Sequence, residues 1–367
     1  MASRNVRPIV VLLRKVIIMD AKIINSPADW RGAEMAVRKD WIYYLNSDEI
    51  SEIDSAFQQT MKNEIEFSEM TKENFPLPRF SEIAAHGRDV LENGPGLFHI
   101  RGFPSLNYTA KDLRRIYWGL GKHIGTAVCQ SSDGDVLGDV RNINVDINGP
   151  KGRGYKTNQK LSFHSDSCDV AALFVLRVAR SGGLSMLASS VAIRNEIART
   201  RPDLLEALYT PYQWSLQGQE KPGQMPYYPQ PIYSEHQGNF SSRLVRAHID
   251  NAQKIPGAPR LSSTQIEAID LVRDLAESEE FNFKFMFEPG DIQLLNNHVT
   301  LHSRTEFVDF EEPEHKRHLL RMWLSVPNSR SLSKLMSPIF KNQIGGTVRG
   351  GFPALTEEYI YETPMPN

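Results

Sequence analysis

The stretch NFKFMF at 282–287, EPGD at 288–291 and IQLLNNHVTL at 292–301, followed by RHLLRMWLSV at 317–326, decides how this chain folds. NFKFMF alternates like a strand, EPGD is a turn, and the next two stretches are apolar runs of strand length. No helical period separates them. Parallel neighbours need a crossover of a dozen or more residues, usually a helix, so these strands pair antiparallel. The expectation is an α+β chain built on an antiparallel sandwich or barrel, not a doubly wound parallel sheet.

Upstream, GLFHIRGFP at 96–104 reads as a buried strand closed by Gly and Pro, and Leu161–Asp166 and Ala171–Val178 read as further strands. Residues 47–92 read as helix and turn, with Ser47 and Asp48 as the capping signal. Lys111–Ile124 puts Leu113, Ile116, Tyr117 and Leu120 on one helical side. Val191–Leu208 is helical with a break at Pro202-Asp203, and Ser262–Ala276 is helical again. Residues 211–240, rich in Pro, Tyr, Gln and Gly without a clear period, are expected to be a long ordered loop serving as a lid.

With 367 residues, 40% of them hydrophobic, the chain can bury one large core. We expect an N-terminal extension over 1–28 and a single domain over 29–367, its core spanning about 96–326. The balance of 42 Lys+Arg against 44 Asp+Glu leaves no field to favour a nucleic acid or an anionic membrane. Cys129 and Cys168 are too few for a disulfide framework or a thiolate zinc site. The apolar run Ile9–Ile18 is interrupted by Arg14 and Lys15, so it is read as neither a signal peptide nor a membrane span. A cytoplasmic protein acting on a small molecule is expected, with organelle targeting by the basic N-terminus and a homo-oligomer left open.

The chemistry concentrates in three segments. In FHSD at 163–166, a strand would turn His164 and Asp166 to the same face, where both can meet one ion. Two imidazoles and one carboxylate on one face suit ferrous iron and leave three positions open. Far downstream, GDIQLLNNHVTLHSR at 290–304 carries His298 and His302, of which either can be the second imidazole. In KRHLLRMWL at 316–324, Arg317 and Arg321 share a strand face, and a guanidinium grips a carboxylate through two parallel hydrogen bonds.

His-Ser-Asp at 164–166, GGLS at 182–185, the segment from Gly290-Asp291 to Val299-Thr-Leu-His302 and the Arg317/Arg321 strand together resemble the TauD/TfdA family of 2-oxoglutarate dioxygenases. The resemblance runs from roughly Gly96 to Ser325. It implies a double-stranded β-helix, or jelly-roll, core with flanking helices. It also implies Fe(II) on His164, Asp166 and His302, 2-oxoglutarate as co-substrate and O2 as oxidant. Arg317 and Ser185 would meet the distal 2-oxoglutarate carboxylate, and Arg321 the co-substrate or an anionic group of the substrate. The implied reaction is oxidation of an unactivated C–H bond, by hydroxylation, desaturation or ring closure, of a small carboxylate-bearing substrate in specialised metabolism.

Other readings compete. The same ligands can serve taurine-type sulfonate catabolism, a zinc hydrolase or a binding protein with a degenerate site. His164 with Asp166, and Arg317 or Arg321 with Glu311 and Glu312, can be surface ion pairs. Asn158 and Arg153 are candidates for the mouth of the site. Tyr227, Tyr228 and Tyr233, set among prolines, form either an aromatic wall over the substrate or a packed connecting loop. His86, His99, His123, His236, His248, His315 and His318 are assigned to packing or surface.

Overall fold

Two asparagines break the strand expected over 292–301. The Asn296 side chain accepts the His298 N–H (3.0 Å) and its carbonyl accepts that of Val299 (3.2 Å). This local turn outcompetes the ladder for those backbone groups. The computed structural model describes residues 22–144, 154–356 and 358–362, so Arg153 and most of the expected N-terminal extension lie outside the described residues.

Early in the chain come β1 (Ile42–Tyr44), β2 (Leu97–Arg101), β3 (Thr126–Val128) and β4 (Gly138–Val140). The middle of the chain adds β5 (Leu161–His164), β6 (Val170–Arg177), β7 (Ser181–Gly182) and β8 (Ser185–Ser189). Next are β9 (Tyr212–Ser215), β10 (Tyr227–Gln230), β11 (Tyr233–His236) and β12 (Asn239–Ser242). The last five are β13 (Asn282–Phe285), β14 (Ile292–Asn296), β15 (Thr300–Arg304), β16 (Phe307–Val308) and β17 (His318–Ser325).

A large sheet runs β1-β2-β14-β6-β17-β3, with β4 also on β17; a small one runs β13-β8-β15-β5. Within them only β1–β2 is parallel. The break at 297–299 therefore moves the chain from the large sheet (β14) to the small one (β15).

Strand alternation sorts the side chains. On β17, Leu320, Met322 and Leu324 join Ala172, Phe174, Ile292 and Leu294 in an apolar cluster with Phe80, Ile83, Ile116, Tyr117 and Leu120. Those last five lie on α3 (Pro78–Asn93) and α4 (Ala110–Ile124), which cover the outer face of the large sheet. The intervening Arg321 and Trp323 face the small sheet, where Trp323 and Ala171 join Phe163, Met186, Ala188 and Leu301. Beyond the small sheet, that cluster continues into α5 (Ser190–Thr200), α6 (Pro202–Leu208) and α8 (Ser263–Glu277). The short α1 (Gly32–Val37) packs so closely on β13 that a Cβ at Gly32 would sit 2.0 Å from the Asn282 carbonyl oxygen.

Three local expectations change. α2 (Ser47–Lys62) is capped by Asn46 rather than Ser47 or Asp48; its side chain accepts from Asp48 and Glu49 N–H, and Glu49 returns a bond to the Asn46 N–H at 2.8 Å. The segment 211–240 is not a long loop: β9 pairs with β10 and β11 with β12. Its Tyr and Trp residues favour strands, and the prolines that obscured the period sit at 226, 229 and 231, Pro229 within the two-stranded β9–β10 ladder. β5 stops at His164, so Asp166 stands on the loop beyond it. No helix among the described residues is long and apolar enough to cross a membrane.

Candidate active site

His302 on β15 lies directly across the ladder from His164 at the end of β5, with ring centroids 4.2 Å apart. Asp166 reaches them from its loop, which is tied down by Ser165 N–H to the Leu244 carbonyl (2.9 Å) and Asp166 N–H to Asn297 Oδ1 (2.9 Å). One ligand atom from each of the three lies within 4.8 Å of the others. The proximity foreseen from strand alternation is thus present, though it comes from hydrogen bonding of a loop.

Protonation states suit a cation. His164 Nδ1 donates to the Ser162 carbonyl oxygen at 2.9 Å, which orients the ring and leaves Nε2 as its free nitrogen for a metal. Burial, with help from neighbouring His164, pushes His302 down to about 3, so its ring is neutral at ordinary pH. For Asp166, burial acts to raise the carboxyl, but Arg321, both imidazoles and the Trp323 N–H outweigh it, and it titrates below its ordinary value. His298 is elsewhere: Nε2 is 2.9 Å from Asp169 Oδ1, beneath the apolar layer and paired with an acid that Arg349 also holds at 2.9 Å.

A cleft of 790 Å³ opens over these groups, within the usual size of a small-molecule site. Arg317 lines it at only 4% exposure. Burial, aided by nearby Arg304 and opposed by Asp309, pulls its guanidinium down to about 9. Among the described residues no carboxylate forms an ion pair with it, and its buried Nη1 has no partner. Gly183, at φ +73°, leaves room beside it, since a Cβ there would lie 3.3 Å from Arg317 Nε. Ser185 Oγ faces the same cleft and accepts from Gln293 Nε2 at 3.2 Å. A buried cation without an acidic partner, in a cleft that a hydroxyl also lines, fits a carboxylate supplied from outside.

Arg321 points toward the three-residue cluster. Its Nε donates to Gln130 Oε1 (2.6 Å), its Nη1 is 3.8 Å from Asp166 Oδ1, and its guanidinium lies 4.4 Å from the Tyr155 ring centre. Neither arginine pairs with Glu311 or Glu312.

Residues 62–323 match the profile of a family described as taurine catabolism dioxygenase TauD, TfdA family. The chain belongs to this family. It is accordingly a non-haem Fe(II)/2-oxoglutarate-dependent dioxygenase, with O2 as oxidant.

The TauD/TfdA chain is 31% identical over 323 residues to FR-33289 synthase of Streptomyces rubellomurinus, covering 86% of this chain and 94% of that protein. It is 27% identical over 343 residues to the taurine hydroxylase-like protein SAT17 of Stachybotrys chartarum, covering 88% and 86%. Among solved structures it resembles asparagine oxygenase in complex with Fe(II), 2S,3S-3-hydroxyasparagine and succinate (TM-score 0.61, 15% identity, 77% of this chain and 93% of that one). It also resembles the non-haem iron oxygenase OrfP in complex with Fe and alpha-ketoglutaric acid (TM-score 0.57, 13% identity, 77% and 93%). At such identities these two share the fold.

Not every residue singled out in this dioxygenase reaches the cleft. Asn158 is exposed, its amide donating to the Phe307 carbonyl at 3.3 Å, outside the cleft wall. Tyr227 bonds the Gly257 carbonyl at 3.4 Å, and Tyr228 is buried under Arg243, so neither forms a wall over the substrate. From the supposed lid only Gln217 and Gln219 line the cleft. Missed were Gln130, Tyr155, Gln293, Arg304 and Trp323. Two of them left a trace: Trp323 is two places from Arg321 on one strand, and Gln293 is a polar residue inside an apolar run.

Proposed function

We propose that His164, Asp166 and His302 hold the ferrous ion, that Arg317 with Ser185 holds the distal carboxylate of 2-oxoglutarate, and that Arg321 orients a carboxylate of a small substrate. What carries this reading is the convergence of the three ligand atoms within 4.8 Å in a cleft that also holds a buried guanidinium lacking an acid. A zinc hydrolase would give Arg317 no task. The facing sheets with helices outside them support a jelly-roll core of about 96–326 within a single domain over 29–367.

Bound iron supplies the activation of dioxygen that couples conversion of 2-oxoglutarate to succinate and carbon dioxide with oxidation of an unactivated C–H bond. The protein's residues do the rest. His164, His302 and Asp166 would hold the ion, His302 through a neutral ring and Asp166 as a carboxylate. Arg317, itself only 4% exposed, fixes the co-substrate's far end by a charge-assisted bond. Arg321, with Tyr155 at its face and Gln130 at its edge, presents its remaining N–H groups to the cleft. Asparagine oxygenase and OrfP form complexes with hydroxyasparagine and hydroxyarginine, which both bear carboxylates, and this is compatible with an amino-acid-like substrate here. The bacterial and fungal relatives fit a place in specialised metabolism.

Anaerobic addition of Fe(II) and 2-oxoglutarate should give a visible metal-to-ligand charge-transfer band. His164→Ala and His302→Ala should lose it; a band surviving either substitution would refute the assignment. A panel of small amino and carboxylic acids, scored for substrate-dependent succinate, then identifies what is oxidised.

A further inference from the structure

Asp166 offers two carboxylate oxygens, and the structure occupies them differently. The Trp323 indole N–H donates to Oδ2 at 2.8 Å, and that same oxygen lies 3.9 Å from His302 Nε2, while Oδ1 is 3.8 Å from Arg321 Nη1. Trp323 is itself fixed. It is 6% exposed, its backbone sits between β3 and β6 (Trp323↔Val128 and Trp323↔Ala171), and its ring lies 6.2 Å from Phe352 and 5.2 Å from the Arg321 guanidinium.

A buried carboxylate needs partners for both oxygens, since an unpaired charged acceptor away from water is strongly disfavoured. Here the nearest alternative partner is Arg321, whose five donors in a planar fork favour two-point pairing with a carboxylate. Were the indole N–H absent, a turn about the Asp166 side-chain bonds would let Arg321 take both oxygens. Arg321 cannot easily retreat, because Gln130 accepts its Nε proton at 2.6 Å and donates to its carbonyl at 2.8 Å. The indole therefore stands between the metal-facing carboxylate and a guanidinium poised to capture it.

We propose that Trp323 is a positioning residue: its indole N–H pins Asp166 Oδ2, so that the carboxylate presents a single oxygen to the metal and stays out of a two-point pair with Arg321. This rests on Asp166 being an iron ligand. Trp323 also lines the cleft, and the role proposed for it acts through Asp166.

The test uses metal affinity without turnover. Under nitrogen, Co(II) is titrated into the full-length apoprotein and followed by its visible d–d bands; Fe(II) with 2-oxoglutarate is followed by its charge-transfer band. Trp323→Phe keeps an aromatic ring and removes the donor. It should weaken Co(II) binding about 10- to 100-fold, the range for partners that orient a metal ligand, and shift the charge-transfer maximum. In that background Arg321→Gln should restore part of the lost affinity by removing the competing cation, a recovery that a plain packing defect would not show. Trp323→His, smaller and still a ring N–H donor, should lie between wild type and Trp323→Phe, and it carries the test if the phenylalanine variant does not fold.

Asp166→Ala separates the two levels. If it abolishes Co(II) binding while Trp323→Phe binds as wild type, the positioning role is overturned and the ligand assignment stands. If Asp166→Ala itself binds Co(II) as wild type, both fall. Absence of any recovery in the double variant would overturn the competition with Arg321.

Discussion

Replacing Arg317 with methionine should act in opposite directions on stability and on co-substrate binding. In the ligand-free chain the guanidinium is buried without an ion-pair partner among the described residues, and burial lowers it from its ordinary value to about 9. At 1.36 kcal/mol per unit, that displacement corresponds to roughly 5 kcal/mol of disfavoured charge. Its packing against Phe307, 5.1 Å from the ring centre, is lost with the head group but largely kept by the methionine stem. The net expected effect is neutral to about 4 kcal/mol stabilising, as when buried ionic groups are exchanged for apolar ones of similar size. A charge-assisted bond to the carboxylate is worth about 1.5–3 kcal/mol, so 2-oxoglutarate affinity should fall about 10- to 150-fold. Urea unfolding of the apoprotein reads the first effect, and anaerobic titration of the charge-transfer band reads the second. Unchanged 2-oxoglutarate affinity would remove Arg317 from the site; a clear loss of apoprotein stability would mean that its charge is already balanced.

Three further outcomes are expected. Gly183→Ala, at φ +73° and with its new methyl 3.3 Å from Arg317 Nε, should lose about 1–2 kcal/mol in urea unfolding and bind 2-oxoglutarate several-fold more weakly in the charge-transfer titration. His298 titrates near 4 when folded, because burial disfavours its charge more than Asp169 favours it. The unfolded chain therefore takes up the proton first: stability is full above about pH 6.5 and falls by roughly 3 kcal/mol as pH drops toward 4, and His298→Gln should flatten that slope in unfolding midpoints measured at pH 7.5 and 5. Gly32→Ala would drive a methyl to 2.0 Å from the Asn282 carbonyl oxygen; α1 must shift on β13, with a loss of about 1–3 kcal/mol in denaturant midpoints and little change in 2-oxoglutarate binding.

Much of the site could be read from sequence because its parts are uncommon where they occur. Charged or imidazole side chains inside apolar strands, at His302 and Arg321, or just ahead of one, at Arg317, need a reason to be there, and period-two alternation says which strand residues share a face. The break at Asn297 was not legible: IQLLNNHVTL has the same hydrophobic pattern whether it is one strand or two, and the decision lies in hydrogen bonds of the Asn296 side chain and carbonyl. The hairpins of 212–242 were hidden by prolines that interrupt the alternation without interrupting the pairing. Asn158, Tyr227 and Tyr228 show that nearness along the chain to a site or a supposed lid does not say which way a side chain faces. Gln130 had no signal, since its importance comes from Arg321, which is 191 residues away.

The two imidazoles are rungs of one ladder, whereas the carboxylate hangs from a loop stitched by Asn297, whose side chain accepts from Asp166 N–H and donates to Cys168 Sγ at 3.2 Å. The imidazole pair thus has the stiffness of the sheet, and the carboxylate can be adjusted on its own. Lengthening, shortening or re-aiming the loop between His164 and Val170 would retune the anionic corner of the triangle while the histidines stay put. An engineer seeking altered coordination should begin at that corner.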